Sequence, residues 1–576
     1  MKEQAKHKTI DIIKKEKVTC YATCKETTKQ GELLKQTDKK KINRKAVLGK
    51  EQEVAITLIA LVVTIVVLLI LAGITITFVL GENGIISMAK RVAEQTNGAM
   101  QNEQEDLANV TEQMQNYVNG GNDGDNAEIE EPPVPEEPAE EFSRANGIID
   151  ILFVNKANKI INASSVPTPS LGEGMVPVKW KEEDSSWYVC QSTDNTWYSY
   201  TEENKKWANV MLKDGLAVEG VKDVKTATIA EMAGKKVTTE GSMFVYIPRY
   251  AYKITYLAED GNTILGYSNS DGIVDKEGAI VEGTKKVGAV KVTGKLGEET
   301  YIKYVLHPAF QKFEADELTQ ANGGWSSEID GIWVAKFEAS SVQGNSNNES
   351  GDDVTTKTIQ VKPGVASWRY ITINNMFTNC ENYNKPLNSH MMKNSEWGAV
   401  AYLSKSVYGK NDEITINDNS FYYTGGESGT AYTSNTAQST TGNVYGIYDM
   451  SGGSWEYVAS YVNNESGSLT TYGASLVNSS NTNLKQMYEL GSSDDREPHY
   501  QANKGKYGDA VYETSTAGTG SSSWYGDYSY FPYSSDPFFL RGGRYLDSSG
   551  AGAFAFLDRS GSSHNNRSFR PVLVVP

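Results

Sequence analysis

Cysteines, histidines and paired carboxylates are the side chains from which a protein builds a nucleophile, a metal site or an acid–base pair, and here they are few and scattered. The cysteines are Cys20, Cys24, Cys190 and Cys380. Cys20-x-x-x-Cys24 has no second pair to complete a zinc site, and four thiols are too few for a disulfide scaffold. His307, His390, His499 and His564 lie far apart in the chain, none at the spacing of metal ligands, and read as satisfied or solvent-facing imidazoles. No Ser-His-Asp arrangement, glycine-rich phosphate loop or paired acid motif stands out. The sequence therefore predicts no catalytic residue, no metal and no cofactor.

Chemistry of another kind, recognition, is concentrated at the C-terminal end. Phe538-Phe539-Leu540-Arg541-Gly542-Gly543 and Phe569-Arg570-Pro571-Val572-Leu573 read as apolar strands anchoring a segment rich in Ser, Gly, Asn, Asp, Arg, Tyr, His and Phe. That mixture makes adaptable binding surfaces. The candidate ligand-contacting residues are Arg544, Tyr545, Leu546, Asp547, Ser549, Phe554, Leu557, Asp558, Arg559, Ser560, Ser562, Ser563, His564, Asn565 and Asn566. Arg544, Tyr545, Phe554, Arg559 and His564 are the expected energetic anchors, because aromatic residues and Arg dominate binding hot spots. Phe554 and Phe556 alternate with Ala, so at least one of them is expected to face the core. Asp449, Trp455, Glu456, Arg541 and Arg570 are assigned to the scaffold.

The elements that must carry this segment follow from the rest of the chain. Its 576 residues, 39% of them hydrophobic, allow several folded units with real cores. A formal charge of -17 argues against a nucleic-acid partner, which would need clustered Lys and Arg. Residues 1–50 hold 15 Lys or Arg against 6 Asp or Glu and form a solvated basic leader. Within 51–118, no residue from Val54 to Leu80 is charged. At ~1.5 Å of rise per residue, that run spans the ~30 Å hydrocarbon layer of a bilayer as a single helix. The basic leader sets the N-terminus in the cytoplasm and the large C-terminal part outside the cell membrane, in a single pass. Residues 85–118 continue the helix as a stalk, and 119–144, rich in Glu and Pro, are an extended acidic linker that misses the calcium-loop spacing. Residues 145–235 carry short aromatic strands between Asp, Asn, Ser and Gly turns, which predicts a small antiparallel β module with aromatics in its core.

Ala55-Ile56-Thr57-Leu58-Ile59-Ala60-Leu61-Val62-Val63-Thr64, Leu71-Ala72-Gly73-Ile74-Thr75 and Gly81-Glu82-Asn83-Gly84-Ile85 resemble the prepilin-type N-terminus of type IV pilin-like proteins. The resemblance implies type IV pilus subunits as partners. That family is cut after a Gly and often carries Glu five residues later, where this chain has Ala55 and Ala60. Left uncut, the segment is a signal anchor.

Further on, Met243-Phe244-Val245-Tyr246-Ile247-Pro248-Arg249-Tyr250, Gly331-Ile332-Trp333-Val334-Ala335-Lys336-Phe337-Glu338-Ala339-Ser340, Asn394-Ser395-Glu396-Trp397-Gly398-Ala399 and Gly446-Ile447-Tyr448-Asp449-Met450-Ser451-Gly452-Gly453-Ser454-Trp455-Glu456-Tyr457-Val458 resemble the formylglycine-generating-enzyme branch of the C-type lectin fold. Leu540-Arg541-Gly542-Gly543 and Ser568-Phe569-Arg570-Pro571 close the series. The implied fold class is α+β: a long N-terminal transmembrane, pilin-like helix, the small antiparallel module, and a C-type lectin domain over 236–576. Sulfatase-activating members of this family use a cysteine pair between the Trp-Glu motif and the final Phe-Arg; this chain has no cysteine after Cys380. The terminal arrangement also resembles the variable proteins of diversity-generating retroelements. In such systems adenine-directed mutation of Asn codons never yields Lys, Glu, Gln, Met or Trp, and none of the five occurs from Arg541 to Ser568.

The expectation is a non-enzymatic, membrane- or pilus-anchored receptor or adhesin that binds an extracellular protein or glycan through a diversified surface. Its rivals are a minor pilin with an invariant structural cap and an enzyme of the formylglycine-generating-enzyme-like family.

Overall fold

Met243–Pro248 is buried at every residue, as an unbroken apolar run is when its strand is covered on both faces. It lies near the middle of a seven-stranded sheet. In spatial order the strands are His390–Met391, Pro571–Leu573, Gly331–Ala335, Met243–Pro248, Asn209–Leu212, Met175–Lys181 and Ser186–Val189. The computed structural model describes residues 142–313, 323–426 and 431–576. They form a mixed α+β unit in which sheets predominate and helices are few. The expected leader at 1–50, the helix at 51–118 with its span at 54–80, and the linker up to residue 141 lie outside the described residues. Among the described residues no helix is long and apolar enough to cross a membrane.

Two expectations change. The strands within 145–235 do not form a module of their own: Asn209 and Val210 pair with Val245 and Phe244, which joins them to the large sheet. Trp187, Trp197, Tyr200 and Trp207 are buried in the same core as Trp333, whose ring stacks on that of Trp197. Strand order depends on pairings between residues distant in sequence, which local aromatic spacing does not reveal. The linker also ends earlier than 144. Phe142 packs edge-on against Tyr256, and the buried Arg144 donates from Nε to Tyr512 O and Ser515 O, both at 3.0 Å.

A second, six-stranded sheet is built on Tyr250–Leu257, which pairs with Gly147–Phe153, Ile264–Asn269 and Glu299–Leu306. A third, five-stranded sheet is built on Trp455–Val462, buried at all eight positions. Helices fill the space between. Ile373–Tyr383 buries Ile373, Met376, Phe377 and Cys380, the i, i+3, i+4, i+7 stripe of an amphipathic helix. Asn394–Lys405 is buried nearly all round; a Cβ on Gly398 would lie 2.2 Å from Gly508 O, so the backbones touch there. Its start is fixed by the Lys393 N–H donating to Glu396 Oε2 at 2.9 Å, while Glu396 Oε1 pairs with His390 Nε2 at 2.8 Å.

The six-stranded sheet and this helix enclose a polar centre around Glu513. Its carboxylate accepts from the Tyr252 hydroxyl (2.7 Å), the Tyr402 hydroxyl (3.0 Å) and the Gly508 N–H (2.6 Å), and it pairs with Lys286 at 2.7 Å. Burial alone would raise this carboxyl; Lys286 and the donated hydrogen bonds bring it below its usual range. His307 is wholly buried beside Tyr250, Tyr252, Phe310 and Tyr402, and its Nδ1 accepts the Ala309 N–H at 3.3 Å. Desolvation pushes its pKa down to about 3, against the opposing pull of Glu513.

A neutral native His307 has a thermodynamic consequence. Unfolded, the ring protonates near pH 6.5, so its contribution to stability is complete above that pH and is lost as pH falls toward about 3. The stability gap between the wild type and His307→Phe is expected to narrow by up to about 1.4 kcal/mol per pH unit across that window. Urea unfolding of both proteins at several pH values measures it. A gap independent of pH would mean that His307 is not held neutral.

Candidate ligand-binding site

The five-stranded sheet frames the segment from Arg541 to Ser568. Phe538–Arg541 pairs antiparallel with Trp455–Val462 on one side and with Phe556–Arg559 on the other; Arg567–Phe569 runs parallel to Trp455–Val462. The segment thus leaves the sheet, returns as a strand, leaves again and rejoins. Its first residue is locked. The buried Arg541 guanidinium donates to Asp509 O at 3.0 Å, Ala510 O at 2.9 Å and Asn394 Oδ1 at 3.2 Å. Gly543 then turns the chain with φ of 78°, and a Cβ there would lie 2.3 Å from the Ala551 Cβ. Only glycine meets both demands.

Between these turns and strands opens a cleft of about 450 Å³. Trp455, Leu540 and Leu557 form its buried side, and Tyr528 lies parallel to Trp455 with ring centroids 6.5 Å apart. Arg496, Arg544, Arg559 and Arg567 line it together with Asp547, Asp558, Tyr530, His564 and Asn566. Arg544 donates from Nε to Asp547 Oδ1 at 2.9 Å and from its backbone N–H to Oδ2 at 3.0 Å. Arg496 donates from both Nε and Nη2 to Asp558 Oδ2, at 3.0 and 2.8 Å. Burial raises the Asp558 carboxyl to about 6 against the opposing pull of Arg496. His564 is held below its ordinary value by partial burial and by the neighbouring charges of Arg567, Arg544 and Arg559, while its Nδ1 meets Asn566 Oδ1 at 2.6 Å.

The structure divides the candidate residues. Arg544, Asp547, Leu557, Asp558, Arg559, His564 and Asn566 line the cleft. Tyr545, Leu546 and Ser549 stand on a shoulder beside it, with Leu546 60% exposed. Tyr545 meets the Tyr422 ring edge-on at 5.0 Å. Ser560, Ser562, Ser563 and Asn565 are exposed or half-buried in the second loop. Ser562 O accepts from Arg567 Nη1 at 3.1 Å, Ser563 Oγ donates to Glu349, and Asn565 O accepts from Arg369.

Some expectations fail. Phe554, proposed as an anchor, is 3% exposed and packs against Trp524 and Tyr525; with Phe556 also buried, both rings face the core. The chain turns between Gly552 and Ala555, whose N–H donates to Gly552 O at 3.0 Å, before Phe556 begins a strand. Leu557, Asp558 and Asn566 touch the cleft but are themselves buried, so they belong to its wall and not to a free surface. Sequence reasoning missed Arg496, Tyr528, Tyr530 and Arg567 in the cleft, and Arg369, Phe421 and Tyr422 at the shoulder. A signal existed for two of them: Trp524 to Tyr533 has the same Tyr, Ser, Gly and Asp mixture that marked the terminal segment.

The five scaffold residues are all buried, and three of them, Asp449, Glu456 and Arg570, meet at one junction. Arg570 donates from Nε to Glu456 Oε2 (3.0 Å) and from Nη2 to Oε1 (2.6 Å); Nη1 reaches Ala335 O (2.8 Å) and Nη2 also Tyr448 O (3.0 Å). Asp449, at φ 62°, accepts from the Gly425 N–H and from Asn417 Nδ2, each at 2.9 Å. Trp455 has a second role, since it also lines the cleft. Of the groups able to do covalent chemistry, burial pushes the Cys190 thiol up to about 12 and the Cys380 thiol well above its ordinary value. His390 and His499 are buried against Glu396 and Asp494. Among the described residues no group of three or more His, Cys, Asp or Glu converges as a metal site would require. No protein-family model matches the chain, and no curated protein matches it.

The division predicts two classes of substitution. Arg544, Leu546, Arg559 and Asn565 replaced by Ser should each change stability by no more than about 0.5 kcal/mol. Phe554→Ala should cost about 3–5 kcal/mol through lost packing, and Arg570→Ala a similar ~3–5 kcal/mol because it strands a buried carboxylate. Chemical denaturation of the purified variants separates the classes; equal losses in both would place the loops in the core.

Proposed function

We propose that this chain is a surface-displayed, non-enzymatic receptor or adhesin. In this reading a C-type lectin-like domain of the formylglycine-generating-enzyme branch presents the cleft and its shoulder as a diversified ligand-binding surface. One observation carries the reading: the Arg541–Ser568 segment is pinned at both ends by buried arginine and strand pairing, while Arg544, Asp547 and His564 from its loops and Arg559 from the end of its strand converge on one cleft. A rigid frame with adaptable, polar and aromatic loops is the architecture recognition needs, because side chains change without repacking the core. The uncharged run from Val54 to Leu80 and the basic residues before it support a single-pass anchor, cytoplasmic N-terminus and external C-terminal part, with assembly among pilus subunits if the leader is processed. The net charge of -17 supports a partner other than nucleic acid.

Deep sequencing of the gene's 3′ end across a population, together with its genomic flank, tests the diversification. The expected result is codon variation concentrated at Arg544, Tyr545, Leu546, Asp547, Arg559, His564 and Asn565, sparing Arg541, Phe556, Phe569 and Arg570. A near-identical template repeat beside a reverse transcriptase should accompany it. Variation spread evenly over both sets, or an invariant 3′ end with no such repeat, would leave an invariant pilin cap as the better description.

A further inference from the structure

The cleft carries a chemical bias that the receptor reading does not itself demand. Four of the chain's eleven arginines, Arg496, Arg544, Arg559 and Arg567, line this one depression on a protein of formal charge -17. Two carboxylates stand against them, and both are engaged: Asp547 by Arg544, Asp558 by Arg496. Much of the donor capacity remains unspent. The terminal nitrogens of Arg544 make no hydrogen bond among the described residues, and Arg559 uses only Nη1, which donates to Asp558 O at 2.7 Å and lies 3.5 Å from Asp558 Oδ1, leaving its Nη2 and Nε uncommitted. Their side chains are 37% and 38% exposed, so the forks are open to solvent. Arginine at such a position offers two parallel N–H groups that match a carboxylate, which the point charge of Lys does not.

The remaining lining indicates what bears the charge. Tyr528 and Tyr530 offer ring faces, while Asn566 and His564 add short polar groups able to bond hydroxyls. At about 450 Å³ the cleft has the size of a small-ligand site, which spans ~300–1,000 Å³. The large exposed apolar side chains Phe421 and Leu546 are absent from its lining. We propose, resting on the receptor reading above, that the cleft binds an acidic sugar residue of a glycan, its carboxylate gripped by Arg544 and Arg559 and its ring laid against Tyr528 and Tyr530.

The test uses the full chain in detergent and a panel of oligosaccharides bearing glucuronate, galacturonate or N-acetylneuraminate, each beside its methyl ester, with oligoglutamate as the peptide control. At least one acidic sugar should bind, its neutral ester about tenfold or more weaker, and the affinity should fall as salt is raised. Arg544→Ser with Arg559→Ser should remove about tenfold or more of that affinity while the melting temperature stays unchanged. Binding by none of the acidic sugars, equal binding of the esters, or tighter binding of oligoglutamate would each overturn the proposal. The two readings fail separately. Codon variation at the cleft without acidic-sugar binding retains the diversified receptor and discards the sugar; acidic-sugar binding by a gene with an invariant 3′ end does the reverse.

Discussion

The Arg570–Glu456 ion pair sits where the chain passes from one sheet to another, and the architecture of the C-terminal segment depends on it. Arg567–Phe569 belongs to the five-stranded sheet and Pro571–Leu573 to the seven-stranded one, so Arg570 is the single residue between them. Its guanidinium spans the junction: Glu456 lies in the first sheet, Ala335 in the second, and Tyr448 in the turn that leads to Trp455. Both partners are out of contact with water. Burying two charges is expensive, and a pair of this kind is retained where its geometry is good and its remaining donors are satisfied, as these are. Three carboxylates, Glu338, Asp449 and Glu456, crowd this one arginine. Burial and the charges of Glu456 and Asp449 push Glu338 well above the ordinary range, and burial raises Glu456 to about 7 against the opposing pull of Arg570.

The junction also bears on the proposal that the loops of the terminal segment vary in sequence. Their strands contribute Phe538, Phe539, Leu540, Phe556 and Phe569 to the core, and of the first loop only the stretch around Phe554, with Ala553 and Ala555, joins that packing. Arg541 at the other end is likewise a buried guanidinium that donates to backbone carbonyls, here Asp509 O and Ala510 O, with no carboxylate bonded to it among the described residues. A guanidinium with five donors in a rigid fork can tie several chain segments at once, which no apolar side chain can do. Order is thus imposed at both ends of the segment and again at its buried middle, leaving the two loops around 544–549 and 559–565 as its more open parts.

How much of this was legible in the sequence depended on the range of the interaction. The apolar strands at 243–248 and 331–335, the buried tryptophans and the fixed ends of the terminal segment follow from local pattern and residue type. The merging of the aromatic strands of 145–235 into the large sheet does not, because it rests on Asn209 meeting Val245 and on Asn209 Nδ2 donating to Tyr445 O, 236 positions away. Arg496 escaped for the same reason: its partner Asp558 lies 62 residues further on. Phe554 misled because an aromatic in a polar, glycine-rich stretch has the composition of a binding anchor, whereas its alternation with Ala beside Phe556 already pointed to a core ring. Asp558 misled because a polar residue in a polar stretch gives no local sign that an arginine from elsewhere covers it.

The boundary between frame and surface therefore does not follow the ends of the segment but runs through its middle, and the Phe556–Arg559 strand shows where. Phe556 faces the core, Leu557 forms the buried side of the cleft, Asp558 is buried yet bound to Arg496, and Arg559 alone of the four is open to solvent. Asp558 carries the tension of its position. Burial raises its carboxyl to about 6, and what keeps it charged at neutral pH is an arginine contributed by the Arg496–Ala502 helix, outside the segment. Any residue at 558 must answer to that fixed arginine as well as to a ligand. On the proposed reading recognition at this cleft is shared: Arg544, Arg559 and His564 come from the terminal segment, while Arg496, Trp455, Tyr528 and Tyr530 come from outside its loops, and since Arg496 is already engaged by Asp558, a change at Arg544 or Arg559 would alter the charge the cleft prefers.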